Sequence, residues 1–159
     1  MVIHDDPRFW SHVVKGDEPG DCWIWTGAIS DDGYGRYWTT AGGRQKVLRP
    51  HRYAYQLITG LEPQRHILHE CDFPLCVHAD GDVEISHLRD GTNAENVADR
   101  ARRNRSGNQH TSTSIVGAPR RARYELMTEI RDWVKTHGYD RERIAAMIAG
   151  YDPDAPMLF

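Results

Sequence analysis

The sequence predicts an α+β protein, and three observations carry that prediction. Aromatic and β-branched runs punctuated by glycine turns occupy residues 22–48, and helical stripes with capping residues occupy 93–103 and 124–149. Between them lies a polar segment, 66–91, which holds two of the three cysteines and has no helical period. A chain of 159 residues has room for one compact domain, or for a domain of about 100 residues with an appendage.

Taken in order, Phe9 to Val14 reads as a short helix after Pro7, broken by the Gly16 to Gly20 stretch. Cys22-Trp-Ile-Trp-Thr26 reads as the first strand, and Asp32-Gly-Tyr-Gly35 as the turn into a second, Arg36 to Thr40. Gly42-Gly43 makes a further turn before a third strand around Lys46 to Leu48, so the N-terminal part is expected to be a β-meander. Trp23, Trp25 and Trp38 then read as half-buried core residues of those strands rather than a stacking platform. His51 to Thr59 is a helix opened by Pro50 and closed by Gly60.

Residues 66–91 consist of short apolar pieces separated by Cys, Asp, Pro and Gly, and are expected to form a loop held by something other than a core. Thr92-Asn-Ala-Glu95 matches a capping box and starts a helix over 93–103, with Asn96 in its first turn and Arg100 and Arg103 on one face. Residues 106–118 are rich in Ser, Thr, Gly and Asn, which reads as a linker or an arm ordered on binding. Leu126, Met127, Ile130, Trp133 and Val134 give a helical stripe over 124–137, and 141–149 completes a pair. That pair is expected to dock on the core or on a second subunit. The chain thus divides into a core over 1–105, a basic linker over 106–120 and a helical pair over 121–159.

Composition narrows the function classes. Apolar residues make up 39% of the chain, a thin core of the kind that recruits a metal. No run approaches the roughly 20 apolar residues of a membrane span, and no signal-like stretch precedes the cysteines, so an intracellular, cytoplasmic protein is expected. The net charge of −3 hides an asymmetry: seven arginines and no carboxylate lie between Arg100 and Arg123, whereas Asp5, Asp6, Asp17, Glu18, Asp21, Asp31 and Asp32 load the first third with acid. A local basic stripe can engage phosphates despite an acidic total.

Three cysteines cannot all pair within one chain, and nine histidines accompany them. Cys71 and Cys76, with Cys22 upstream and His87 downstream, supply three sulfurs and an imidazole, the donor set of a structural tetrahedral zinc site. Polar neighbours such as Glu70, Asp72 and His78 suit buried, inert thiols poorly. His78 is the rival to His87 for the fourth position.

The string Leu68-His69-Glu70-Cys71, with Cys76, His87-Leu88 and Asn96, resembles the His-Me finger nucleases, specifically the His-Cys box and HNH homing endonucleases and the small phage HNH proteins. Cys22-Trp-Ile-Trp-Thr-Gly27, the Asp32 to Arg36 turn and His51-Arg-Tyr-Ala-Tyr55 look like the upstream part of that phage group. The resemblance covers about Phe9 to Arg105. It implies a ββα-metal core with a structural zinc loop, in which His69, two residues before the first box cysteine, is the general base. Asn96, nine residues after His87, is by the same resemblance the ligand of a catalytic magnesium, for which manganese can substitute. The spacing between Cys76 and His87 departs from the family pattern by an insertion over His78 to Ser86.

The expected activity is phosphodiester hydrolysis in double-stranded DNA, with Arg52, Arg100 and Arg103 as phosphate-holding candidates at the catalytic site. Further DNA contacts are expected from Arg36, Arg44, Lys46 and Arg49 on the meander and from Arg102 and Arg105 on the arm. His51 and His66 read as structural or substrate-side residues. Dimerisation would allow both strands to be cut. Two other readings fit the same sequence: a zinc-stapled DNA-binding regulator without catalysis, and an assembly protein working through its C-terminal helices.

Overall fold

A computed structural model of the chain describes residues 5–102 and 118–150. It is a mixed α and β structure built on three two-stranded antiparallel sheets. Helix α1, Pro7–Trp10, is a single turn whose start is capped by Asp6, which accepts a hydrogen bond from the Phe9 amide at 3.0 Å. The expected continuation to Val14 does not occur. Val13 and Val14 instead belong to β1, Val13–Lys15, paired with β2, Trp23–Trp25, in the register Val13↔Trp25 and Val14↔Ile24. Two β-branched residues in succession favour the strand once a partner is at hand.

The expected single meander is also corrected. Strand β3, Tyr37–Ala41, pairs with β4, Arg44–Leu48, and not with β2. The Gly42-Gly43 turn has both residues at positive φ, 59° and 74°, which is the two-residue hairpin geometry that glycine accepts without strain. The free edge of β2 is taken by a segment far along the chain: the Trp25 amide donates to the Leu75 carbonyl at 2.9 Å, and the Val77 amide to the Trp23 carbonyl at 2.8 Å. This pairing is what carries Cys76 to the neighbourhood of Cys22.

Helix α2, Pro50–Thr59, begins on proline and ends on Gly60, whose φ of 70° lets its amide return to the Gln56 carbonyl at 2.8 Å. The segment expected to be a loop contains two strands. β5, His66–His69, pairs with β6, Leu88–Gly91, from His66↔Gly91 to His69↔Leu88. Helix α3, Asn93–Arg102, follows directly and packs against β5. Its capping box forms as expected: the Thr92 amide donates to Glu95 at 2.7 Å and the Glu95 amide to the Thr92 hydroxyl at 3.2 Å.

The C-terminal pair comprises α4, Arg120–His137, one turn longer than its apolar stripe, and α5, Arg141–Ala149, capped by Asp140. Leu126, Met127, Ile130 and Val134 of α4 and Ile144 of α5 join one buried cluster with Phe9, Trp25 and Leu75. The ring of Phe9 lies at its centre, 4.9–5.3 Å from those of Trp10, Trp25, Tyr37 and Tyr53. Of the three strand tryptophans, Trp25 is buried and Trp23 partly so, but Trp38 is exposed. Among the described residues no helix is long and apolar enough to cross a membrane.

Candidate functional site

Cys22, Cys71, Cys76 and His87 converge, with their donor atoms all within 4.8 Å of one another. The Nδ1 atom of His87 lies 3.5 Å from the Cys22 sulfur and 3.4 Å from that of Cys76. A tetrahedral zinc with sulfur at about 2.3 Å and nitrogen at about 2.0–2.1 Å would separate those donors by about 3.6 Å. The donor set and its spacing therefore fit a metal such as zinc. The thiol chemistry agrees. Hydrogen bonds from Cys22 and Cys76 drive the Cys71 thiol far down, while hydrogen bonding to Cys71 raises Cys22 and burial raises Cys76. Three thiolates in one pocket need a positive ion to coexist.

The surroundings separate the two histidines. His87 is held toward the charged form, chiefly by its hydrogen bond with Cys71, and it also bonds the Gly20 backbone. His78, the rival, is only 2% exposed, donates from Nδ1 to the Asp21 carbonyl at 2.7 Å and stacks on Trp23 at 4.3 Å. It is a packing residue. The long spacing before His87 is absorbed by a closed loop, because the His87 amide donates to the His78 carbonyl at 3.0 Å and Ser86 links the Asp80 amide to the Leu88 carbonyl.

The cluster sits at the end of the β5–β6 ladder. The last rung is His69↔Leu88, and just beyond it the Glu70 amide donates to the His87 carbonyl at 2.8 Å. Cys71 and His87 thus clamp the two strands immediately beside His69. The His69 ring is buried, reaches the Cys71 sulfur, and packs on His51 at 4.8 Å and Tyr34 at 6.0 Å between ring centroids. Asn96 lies in the first turn of α3, partly exposed, its helix cap already supplied by Thr92 and Glu95. Arg89 of β6 ties this unit together, 3.0 Å from Glu70 and 3.9 Å from Glu95.

The expected phosphate and DNA residues fall into separate groups. Arg52 donates to the carbonyls of Pro63, Gln64 and Arg65, bracing the turn before β5. Arg49 forms an ion pair with Asp32 at 2.7 Å and so fixes the Tyr34 turn. Arg44 and Lys46 are exposed on β4, and Arg36 lies 5.4 Å from the Trp38 ring. Arg100 and Arg102 fall on α3, where the backbone alone is described, and Arg103 and Arg105 lie outside the described residues. His66 faces α3, its Nε2 3.2 Å from the Asn93 side-chain oxygen.

Sequence reasoning passed over three residues of this site. Tyr34 lies in the Asp32 to Arg36 turn but is given no role there, Asp21 is counted only with the acid of the first third, and Arg141 belongs to a helical pair expected to dock on the core or on a second subunit, with no role of its own. The buried Asp21 carboxylate accepts from the Glu18 amide at 3.0 Å and from Arg141 Nε at 2.9 Å. Its position beside a cysteine ligand was the one available signal.

Over 85 residues the chain is 34% identical to Protein 2.8 of Escherichia phage T7, covering 54% of this chain and 52% of that protein. Over 80 residues it is 36% identical to Protein 7.7 of the same phage, covering 50% of this chain and 54% of that protein. The chain spans about half the length of these curated relatives, and their names state no activity. No protein-family model matches the chain, and no solved structure matches it significantly.

Proposed function

We propose that this chain is a magnesium-dependent HNH-type endodeoxyribonuclease with a zinc-stapled ββα-metal core, of phage or homing type. The observation that carries the reading is the clamp at the end of the β5–β6 ladder, where Cys71 and His87 close the cluster one step beyond the rung that holds His69. The order β5, β6, α3 supports it, since two antiparallel strands followed by a helix packed on the first strand is the arrangement the motif resemblance implies.

Hydrolysing a phosphodiester needs a water deprotonated in line with the leaving oxygen, and imidazole is suited to that near neutral pH. His69 takes that proton. His51 and Tyr34 pack on its ring and hold its plane, and the cluster fixes its backbone through Cys71. Zinc in this position acts through geometry, as a staple for a segment with too little apolar surface to hold itself.

Asn96 offers a hard amide oxygen, partly exposed and relieved of capping, which suits magnesium. Magnesium, when bound there, would neutralise charge on the phosphate and leaving oxygens. Double-stranded DNA is the substrate, with 5′-phosphate and 3′-hydroxyl products, and a homodimer would cut both strands.

The test is nicking of supercoiled plasmid by zinc-loaded wild type and His69→Ala, with and without magnesium. Wild type with magnesium nicks the plasmid. His69→Ala retains its zinc and loses turnover by about 10²–10⁴. Equal nicking by the two proteins would remove the mechanism, and DNA binding with no nicking by either would favour the non-catalytic zinc-stapled regulator.

A further inference from the structure

We propose that the β3–β4 ribbon is a DNA-gripping element in which Trp38 stacks on an unstacked base, so that the protein favours DNA with a mismatched step over fully paired duplex. The inference rests on the nucleic-acid reading above but on none of its catalytic residues.

Trp38 is 46% exposed, whereas Trp10, Trp23, Trp25 and Trp133 are all buried or partly buried. Its cross-strand partner is Val47, itself 45% exposed, so an apolar pair stands on one face of a two-stranded ribbon. Covering such a pair would gain hydrophobic stabilisation that covering a polar pair would not, which leaves the indole available for contact.

The charge around the pair specifies the partner. Arg36 lies on the same face by strand alternation, with its guanidinium 5.4 Å from the Trp38 ring. Arg44 and Lys46 are exposed on the opposite face toward the tip. From Gly33 to Leu61 the chain has no Asp or Glu, although its net charge is −3. An indole with Arg36 on its own face, on a ribbon whose strands carry cations and no carboxylate, matches a base between phosphates, and it does not match a basic or purely apolar protein surface.

The shape agrees. Five residues per strand give a ribbon about 17 Å long, and a two-stranded ribbon fits a major groove about 12 Å wide. At the tip, Gly42 and Gly43 present bare backbone with nothing within 4 Å of where a side chain would begin, which allows close approach to a sugar-phosphate chain. Inserted there, the ribbon meets one wall of the groove with Arg44 and Lys46 and offers the indole to the base stack on the other face. An aromatic ring gains most where a base is already unstacked, because the cost of opening the duplex is then small.

The experiment measures equilibrium binding of the zinc-loaded full chain, with magnesium omitted, to a fluorescein-labelled duplex carrying one mismatch and to its fully paired counterpart. Wild type is expected to prefer the mismatched duplex by about tenfold. Trp38→Ala loses that preference while keeping its zinc and its circular dichroism spectrum, and Trp38→Phe keeps part of it. As an independent readout on wild type, iodide quenches the exposed tryptophan and mismatched DNA shields it. Equal wild-type affinity for both duplexes, or an unchanged preference in Trp38→Ala, overturns the inference. So does a Trp38→Ala protein that changes only its sedimentation, which would make the ribbon a self-association surface. Mismatch preference without magnesium-dependent nicking would leave this inference standing and remove the nuclease. Nicking by a protein indifferent to the mismatch would do the reverse.

Discussion

Arg141, the first residue of α5, closes its guanidinium on Asp21, the residue before Cys22 of the Cys/His cluster. The Asp21 carboxylate is 4% exposed, and the Glu18 amide and Arg141 hold it below the usual carboxylate range against the opposing effect of burial. Tyr139 adds a hydroxyl at 3.3 Å. One carboxylate therefore joins the turn that delivers Cys22 to the start of α5, and the C-terminal pair supports the Cys/His cluster.

Arg141→Ala is accordingly expected to weaken metal retention although it touches no ligand. Outer partners of metal sites typically change affinity by about 10–100-fold, and the lower end of that range is expected here because the support acts through the backbone. Competition with a zinc-binding dye would measure it. Wild-type retention in the variant would mean that the α5 anchor and the cluster are independent.

The two histidines near the cluster, His87 and His78, should separate cleanly. His87→Ala is expected to bind less than one equivalent of zinc per chain by elemental analysis. His78→Ala is expected to keep the metal and to lose about 2 kcal/mol of stability or more, because it empties a buried site stacked on Trp23. The reverse pattern would move the fourth ligand to His78.

Acid should destabilise the packing around His69 through His51. Burial, followed by the neighbouring His69, Arg49 and Arg52, holds His51 well below 6.5. A depressed folded value means that the unfolded chain takes up the proton first, so this contribution is complete above about pH 6.5 and is lost as the pH falls below it. Urea denaturation between pH 7.5 and 5 should show wild type declining more steeply than His51→Gln. Comparing the two proteins cancels the loss of zinc by ligand protonation, and parallel curves would contradict the assignment.

The capping box offers a way to move Asn96 without replacing it. Thr92→Ala removes the hydroxyl that receives the Glu95 amide and is expected to cost about 1 kcal/mol. If Asn96 is the magnesium ligand, the variant should need more magnesium for half-maximal nicking while its zinc content stays unchanged. An unaltered magnesium dependence would detach the first turn of α3 from catalysis.

How much of this was legible beforehand depended on how local each signal was. Pro50 with Gly60, Thr92 with Glu95 and Gly42 with Gly43 act within a few residues, and the helices and the hairpin they mark are all present. Strand partners were not legible. β5 and β6 have four residues each, too few to display an alternating pattern, and Val13 and Val14 read as helix until β2 is placed beside them. The partners of Arg49 and Arg52 were not legible either, because nothing local announces that Asp32 and three carbonyls of residues 63–65 are within their reach. Trp38 read as core for the opposite reason: alternation cannot say whether a ribbon has a layer above it.

The sequence by itself determined the donor chemistry, since Cys22, Cys71 and Cys76 with one imidazole supply the donors of a tetrahedral soft-metal site, and it left that imidazole open between His87 and His78. Tertiary structure alone separated the two histidines, because the edge pairing of residues 75–77 on β2 stacks His78 on Trp23, while the Glu70 and His78 backbone bonds set His87 beside the sulfurs. Residue type fixes what a side chain can bind. Which side chains meet is set by long-range backbone pairing, and that is a property of the folded chain as a whole.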